Sequence, residues 1–166
     1  MENAKLTVLM PAKNVEKYIE LAIFSTLNQT YKNFELWVLE NGSTDKTAQI
    51  VKNIKDPRLK IFELGSVGIK GAIEYGIKHS KSDWLARMDA DDIIPQNRFE
   101  IQMRFLDKNP NIAFVGTSYS FLTPFGHVFK RNTDMKTRLV TKNNLAAFKR
   151  YYADPSVVFN RNKAAE

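Results

Sequence analysis

Short apolar runs alternate with amphipathic stretches along the first two thirds of this chain. Leu6 to Met10 is an apolar run stopped by Pro11, the pattern of a strand buried on both faces. Asn14 can then cap a helix that carries Tyr18, Ile19, Ala22, Ile23 and Leu27 on one stripe. Phe34 to Leu39 predicts a second strand. It runs into Glu40-Asn41-Gly42-Ser43-Thr44-Asp45, where glycine permits a sharp turn and Ser43 or Thr44 can cap a helix containing Ala48, Ile50, Val51 and Ile54. Leu59 to Leu64 reads as strand three, a glycine-punctuated helix follows from about Gly68 to His79, and Trp84 to Met88 reads as strand four. Pro95, as a first-turn proline, opens a helix with Phe99, Met103 and Leu106 that ends near Asn109-Pro110; Ile112 to Val115 is a fifth strand. Beyond Gly116 the pattern loosens. Thr117 to Phe129, with Pro124 and Gly126 inside it, predicts a bent strand or hairpin, Asn143 to Tyr152 a helix, and Pro155 to Asn160 a short strand.

Strands alternating with helices of this length imply an α/β fold with parallel pairing through right-handed crossovers. Ligands of such open sheets sit beyond the carboxyl ends of the strands. That rule gathers three loops on one edge: Pro11 to Asn14, Glu40 to Asp45, and Asp89 to Asp92.

The last of these loops carries the chemistry. Trp84-Leu85-Ala86-Arg87-Met88 ends in Asp89, Asp91 and Asp92, three acids within four positions. Carboxylates crowded at a strand end repel one another unless something cationic lies between them. Aspartate oxygens are hard ligands for Mg²⁺ or Mn²⁺, which proteins often hold through one or two carboxylates plus substrate phosphates. The competing reading is a solvated acidic loop leading into the next helix. Of the two arginines flanking the acids, Arg87 and Arg98, one is expected to pair with a carboxylate.

Composition narrows the classes further. With no cysteine among 166 residues there is no disulfide, thiolate zinc site or cysteine nucleophile. No apolar run is long enough to span a membrane, and the N-terminus lacks a signal-peptide pattern, so a cytoplasmic protein is expected. The net charge of +7 is uneven: residues 1–129 hold 16 Lys/Arg against 15 Asp/Glu, whereas residues 130–166 hold 9 against 3. A basic segment of this kind suits a solvated face or a peripheral contact with anionic lipid; it has no nucleic-acid recognition motif, and no nucleic-acid partner is expected. Gly65-Ser66-Val67-Gly68-Ile69-Lys70-Gly71 has the wrong spacing and the wrong strand for a dinucleotide fingerprint, and no P-loop lysine motif is present. His79 and His127 have no metal-ligand spacing, Trp37 and Trp84 are expected in the core, and the aromatics from Phe121 to Phe129 in core or edge packing.

Taken together, these segments resemble family 2 inverting glycosyltransferases of the GT-A fold. The resemblance rests on Leu9-Met10-Pro11-Ala12-Lys13-Asn14-Val15-Glu16-Lys17-Tyr18-Ile19, on Ser25 to Leu36, on Glu40-Asn41-Gly42-Ser43-Thr44-Asp45, and on Arg87-Met88-Asp89-Ala90-Asp91-Asp92 followed by Pro95, Arg98 and Gln102. It implies a Rossmann-like, mostly parallel sheet flanked by helices. Residues 1–116 would form the nucleotide-sugar (donor) part and residues 117–166 the start of the acceptor part of the same domain, apparently truncated. The base would lie among Pro11, Ala12, Lys13, Asn14, Glu40, Asn41 and Gly42, with Asp89 near the ribose and metal-bound water, Ala90 a further nucleotide-sugar contact and Lys70 a candidate diphosphate contact. Asp91, with Asp89, would ligate Mn²⁺ or Mg²⁺. The acceptor would be a glycan or a lipid-linked sugar in cell-surface polysaccharide synthesis.

Departures from the family pattern carry their own expectations. Asn41 stands where an aspartate usually accepts the uracil N3–H, and an amide both accepts and donates, so base preference is open. Glu40 also replaces an aspartate and could accept with a longer reach. Lys13 replaces a frequent aromatic and adds a charge within reach of a phosphate. Inverting transfer needs a general base for the acceptor hydroxyl. The family's acidic motif for that role lies downstream of the segment matching Asp154 to Phe159, and this sequence stops at Glu166 without it. Asp154 is a weak substitute. The alternative function is therefore a nucleotide-sugar-binding fragment that lacks its base.

Overall fold

The computed structural model describes residues 4–123, 127–131 and 156–162. Four strands are parallel: β1 (Leu6–Ala12), β2 (Phe34–Glu40), β3 (Leu59–Glu63) and β4 (Trp84–Arg87). They are joined by α1 (Ile19–Leu27), α2 (Thr47–Asn53) and α3 (Gly68–His79). After α4 (Arg98–Lys108) come β5 (Phe114–Val115), the hairpin β6 (Ser120–Leu122) and β7 (Val128–Arg131), and β8 (Val158–Asn160). The main sheet has the order β3-β2-β1-β4-β8-β5, and β6 and β7 form a separate antiparallel pair.

Period-2 alternation distributes β1 between two cores. Leu6, Val8 and Met10 join Ile19, Ala22 and Ile23 of α1 and Phe99, Met103 and Leu106 of α4 on one face. Leu9 joins Trp37, Leu39, Leu85 and Ala72 of α3 on the other. The Thr7 hydroxyl, buried on the α3 face, bonds those of Ser80 and Ser82 at 2.8 Å each, which ties β1 to the turn entering β4. Gly76 of α3 has a packing reason: an added Cβ would lie 2.6 Å from Leu9 Cδ2, so a larger residue there would displace the buried Leu9 side chain or the helix.

Several local expectations are corrected. Asn14 does not cap α1, which begins only at Ile19 with no side-chain cap. Its backbone is left-handed (φ 53°), a region asparagine tolerates, and its side chain turns toward the β2–α2 loop. Ser43 and Thr44 do not cap α2; Asp45 Oδ1 accepts from Thr47 N–H at 2.9 Å instead. Tyr18 lies off the buried stripe and is exposed. Pro95 precedes α4 by a turn, its carbonyl accepting from Arg98 N–H. β5 does not pair with β4, because β8 runs antiparallel between them. Phe121 is exposed, against the expected packing, and meets the Tyr119 ring edge-on at 5.2 Å. The expected helix from Asn143 to Tyr152, Asp154 and the Pro124 and Gly126 positions lie outside the described residues.

Candidate functional site

The β1–α1 and β2–α2 loops are laced together by their polar side chains. Asn14 Oδ1 accepts from Thr44 N–H at 2.8 Å, Ser43 Oγ accepts from Asn14 N–H at 3.1 Å, and Thr47 Oγ1 accepts from Val15 N–H at 2.9 Å. Asp45 Oδ2 and Glu16 Oε2 each accept from a backbone N–H of the other loop. The carboxyl ends of β1 and β2 are thereby fixed as one rigid edge, and the end of β4 lies beside it, with Met88 N–H donating to Leu9 O at 3.0 Å.

On this edge lies a cavity of about 260 Å³. Pro11, Ala12 and Lys13 line it from β1, Asn41 from β2, and Asp89, Ala90 and Asp91 from β4. The other predicted residues stand outside its lining. Asn14, Glu40 and Gly42 shape the loops behind it. Lys70 is exposed on α3, 3.6 Å from Glu74, one turn on. Ile69 and Val15 line the cavity and escaped the sequence reading; the only signal was the break in pattern at Gly65 to Gly71. A larger cavity of about 550 Å³ opens between the C-terminal ends of α1 and α2, near the amino end of β3. Two of its charged groups, Asp56 and Arg58, are already paired at 2.8 Å, and it lies away from the acids.

Two polar side chains at the edge are committed to the protein itself. Glu40 folds back on its own turn and accepts from Ser43 N–H at 2.6 Å and Gly42 N–H at 3.2 Å. Burial alone would raise its carboxyl, but these bonds and the charge of Lys52 outweigh burial and hold it below the ordinary value. A lowered carboxylate stabilises the fold above its unfolded-state pKa and loses that contribution as pH falls through the folded value. Glu40→Gln should therefore lower the melting temperature most on the neutral plateau and flatten its fall below about pH 4.5, where the native carboxyl loses its charge as well. An acid limb as steep as the native one would refute this role.

Asn41, 3% exposed, turns its Oδ1 to the start of α3, accepting from Val67 N–H at 2.8 Å and Gly68 N–H at 3.0 Å. Two donors on one oxygen fix the amide's orientation, so what Asn41 has left for the cavity is its NH₂.

The three acids differ in their surroundings. Asp89 is 3.2 Å from the Arg87 guanidinium. Although Asp92 faces solvent in part, crowding by the protein and then the charges of Asp89 and Asp91 push its carboxyl up, against the pull of Arg98. Arg98 lies beneath the loop, and burial pulls it down to about 10, opposed by Asp92. Asp91 is exposed and makes no hydrogen bond or ion pair with any described residue. Among the described residues, no group of three His, Cys, Asp or Glu side chains converges as a metal site. The donor set that is present, Asp91 with Asp89 on one cavity wall, fits a hard cation whose remaining ligands are water and phosphate.

Four parallel strands, an antiparallel insertion and a cavity beyond their carboxyl ends define an α/β protein of the GT-A type. Two solved structures share that fold. One is Staphylococcus aureus TarS in complex with UDP-GlcNAc, with a TM-score of 0.75, 23% identity, and coverage of 95% of this chain and 45% of that one. The other is the mannosyltransferase PcManGT from Pyrobaculum calidifontis in complex with GDP-Man and Mn²⁺, with a TM-score of 0.62, 22% identity, and coverage of 75% and 37%. The family model described as glycosyl transferase family 2 matches residues 7–164, and the chain belongs to that family. It is 33% identical over 123 residues to the Escherichia coli UDP-Glc:alpha-D-GlcNAc-diphosphoundecaprenol beta-1,3-glucosyltransferase WfgD, covering 74% of this chain and 48% of that protein. The chain thus spans about half the length of this relative.

Proposed function

We propose that this chain forms the donor-binding part of a glycosyltransferase that moves a sugar, with inversion, from a nucleoside-diphosphate sugar to a glycan or lipid-linked acceptor. The observation that carries this reading is the unpartnered Asp91 beside Asp89 in the carboxyl-edge cavity, with Asn41 and Lys13 on the facing walls. Family membership and the named donor of WfgD support it.

Asp91 and Asp89 would hold Mn²⁺ or Mg²⁺, which when bound stabilises the negative charge that develops on the departing nucleoside diphosphate. Arg87 orients Asp89, keeping its second oxygen directed by a fixed pair. Lys13 Nζ, 3.5 Å from Ser66 Oγ at the cavity mouth, is a flexible charge for a phosphate oxygen. In the transfer itself the acceptor oxygen forms a bond to the anomeric carbon as the bond to phosphate breaks, and the hydroxyl proton passes to a carboxylate on the acceptor side. Asp154 is the candidate within this sequence. The excess positive charge of residues 130–166 supports a peripheral contact with an anionic membrane. Salt-insensitive failure to sediment with phosphatidylglycerol vesicles would exclude that contact. Among the described residues, no helix is long and apolar enough to cross a membrane.

Base preference follows from Asn41. Its remaining NH₂ favours a base that presents an acceptor, whereas Asn41→Asp keeps one oxygen on Val67 and Gly68 and offers the other as an acceptor. The variant should bind uridine nucleotides about tenfold more tightly relative to cytidine nucleotides, since a hydrogen bond to a charged group contributes about 1.5–3 kcal/mol. An unchanged profile removes Asn41 from the base site. Titration with a panel of nucleotide sugars and Mn²⁺, followed by assays of transfer and donor hydrolysis, tests the whole reading. Absence of nucleotide-sugar binding refutes it; binding without turnover identifies a donor-binding module instead.

A further inference from the structure

Arg98 is 5% exposed and Gln102, one helical turn later in α4, is 1% exposed. A buried guanidinium is costly, and an apolar side chain of similar size would pack here without that cost. Its contacts show what the charge provides. Arg98 donates from one terminal nitrogen to Arg87 O at 3.1 Å, from the other to Met88 Sδ at 3.6 Å, and from Nε to Gln102 Oε1 at 3.1 Å. The guanidinium thus grips Arg87, the last residue of β4, and Met88, which leads into Asp89. Gln102 passes the contact on, its Nε2 donating to Ser156 O at 2.8 Å and Val115 O at 3.3 Å. Ser156 Oγ accepts from Thr117 N–H at 2.9 Å and donates to Thr117 O at 3.0 Å, and Arg87 N–H donates to Val157 O at 2.9 Å. One polar chain therefore runs from the root of the acidic loop to Thr117 and Ser156.

We propose that Arg98 and Gln102 are positioning residues: they set the acidic loop for its cation by clamping its root against the Val115–Thr117 and Ser156–Val158 segments. The proposal rests on the donor-site reading, in which Asp89 and Asp91 hold a cation. Neither residue touches the cavity; each acts through the backbone that presents the acids. Groups that orient metal ligands without binding the metal commonly change affinity 10–100-fold when removed.

Gln102→Met keeps the length of the side chain in a buried position while deleting every hydrogen bond of the amide. In the full chain, Mn²⁺ alone, followed by loss of the free-ion paramagnetic resonance signal, should bind about tenfold more weakly than to the native protein. Amide exchange at Met88 and Thr117 should accelerate about tenfold, and at Leu36, in β2, remain unchanged. Gln102→Glu keeps an acceptor for Arg98 Nε but turns a carboxylate oxygen toward Ser156 O and Val115 O, so it breaks the clamp while keeping the grip on Arg98. It should also bind Mn²⁺ about tenfold more weakly, and it decides the matter where the methionine variant does not fold. A folded Gln102→Met or Gln102→Glu protein with native Mn²⁺ affinity overturns the proposal. If the native chain itself binds no Mn²⁺, the donor-site reading fails separately. Exchange at Met88 then still reports the clamp, and native-rate exchange there in the variant overturns it.

Discussion

Replacing Gly42 with valine should destabilise the protein by about 2–4 kcal/mol and remove nucleotide binding together with stability. Gly42 has φ +74°, a conformation that a β-branched residue adopts only under strain. Space is also lacking: an added Cβ would lie 2.6 Å from Ser66 Oγ, 3.2 Å from Ser66 N and 3.3 Å from the carbonyl carbon of Gly65. The first contact is a side-chain atom that can move; the other two are backbone. The chain must therefore push the Gly65–Gly68 turn away from the β2 loop, and that turn carries the N–H groups held by Asn41. For a protein of this size each kcal/mol lowers the melting temperature by roughly 2–4 °C, so a fall of about 5–15 °C is expected. Ser66→Gly in the Gly42→Ala background should recover part of the loss, because it removes the nearest atom but not the strain in φ. A Gly42→Val protein that melts like the native one would mean that these two loops do not meet as described.

That contact illustrates what the sequence alone could convey. The turn at Gly42 is legible, because glycine between a strand and a helix marks a tight backbone. Its partner Ser66 is not, since no pattern links positions in separate loops. In the same way Leu6 to Met10 announces a buried strand, and the sheet rule alone brings the Pro11, Asn41 and Asp91 loops together. The insertion of β8 has no such signature: three residues pair with β4 and β5 through long-range hydrogen bonds such as Asn160 N–H to Ala113 O. A short amide satisfies whichever backbone group lies nearest, so Asn14 bonds the neighbouring loop rather than its own helix, and Asn41, whose choice between accepting and donating the sequence leaves open, commits its oxygen to the start of α3. Glu40 likewise spends its carboxylate on its own turn.

Asp91→Ala should lower the affinity for a nucleotide sugar in the presence of Mn²⁺ by about 100-fold or more while leaving the fold intact. Asp91 is exposed and bonds no described residue, so its removal costs little structure; a ligating carboxylate, by contrast, supplies charge that one remaining aspartate cannot replace. The neighbours provide internal comparisons. Asp89→Ala also removes an ion-pair partner of Arg87 and should affect both binding and the local structure. Asp92→Ala removes a carboxyl raised by crowding and by Asp89 and Asp91, so it relieves repulsion and should spare binding far more than Asp91→Ala does.

Calorimetric titration of UDP-GlcNAc and other nucleotide sugars into the native and Asp91→Ala proteins, each with and without Mn²⁺, puts the donor site to its most direct test. The metal should strengthen binding of at least one donor to the native chain and have no effect on the variant. Equal affinities for the two proteins under saturating Mn²⁺ would contradict the assignment of the cation to Asp91.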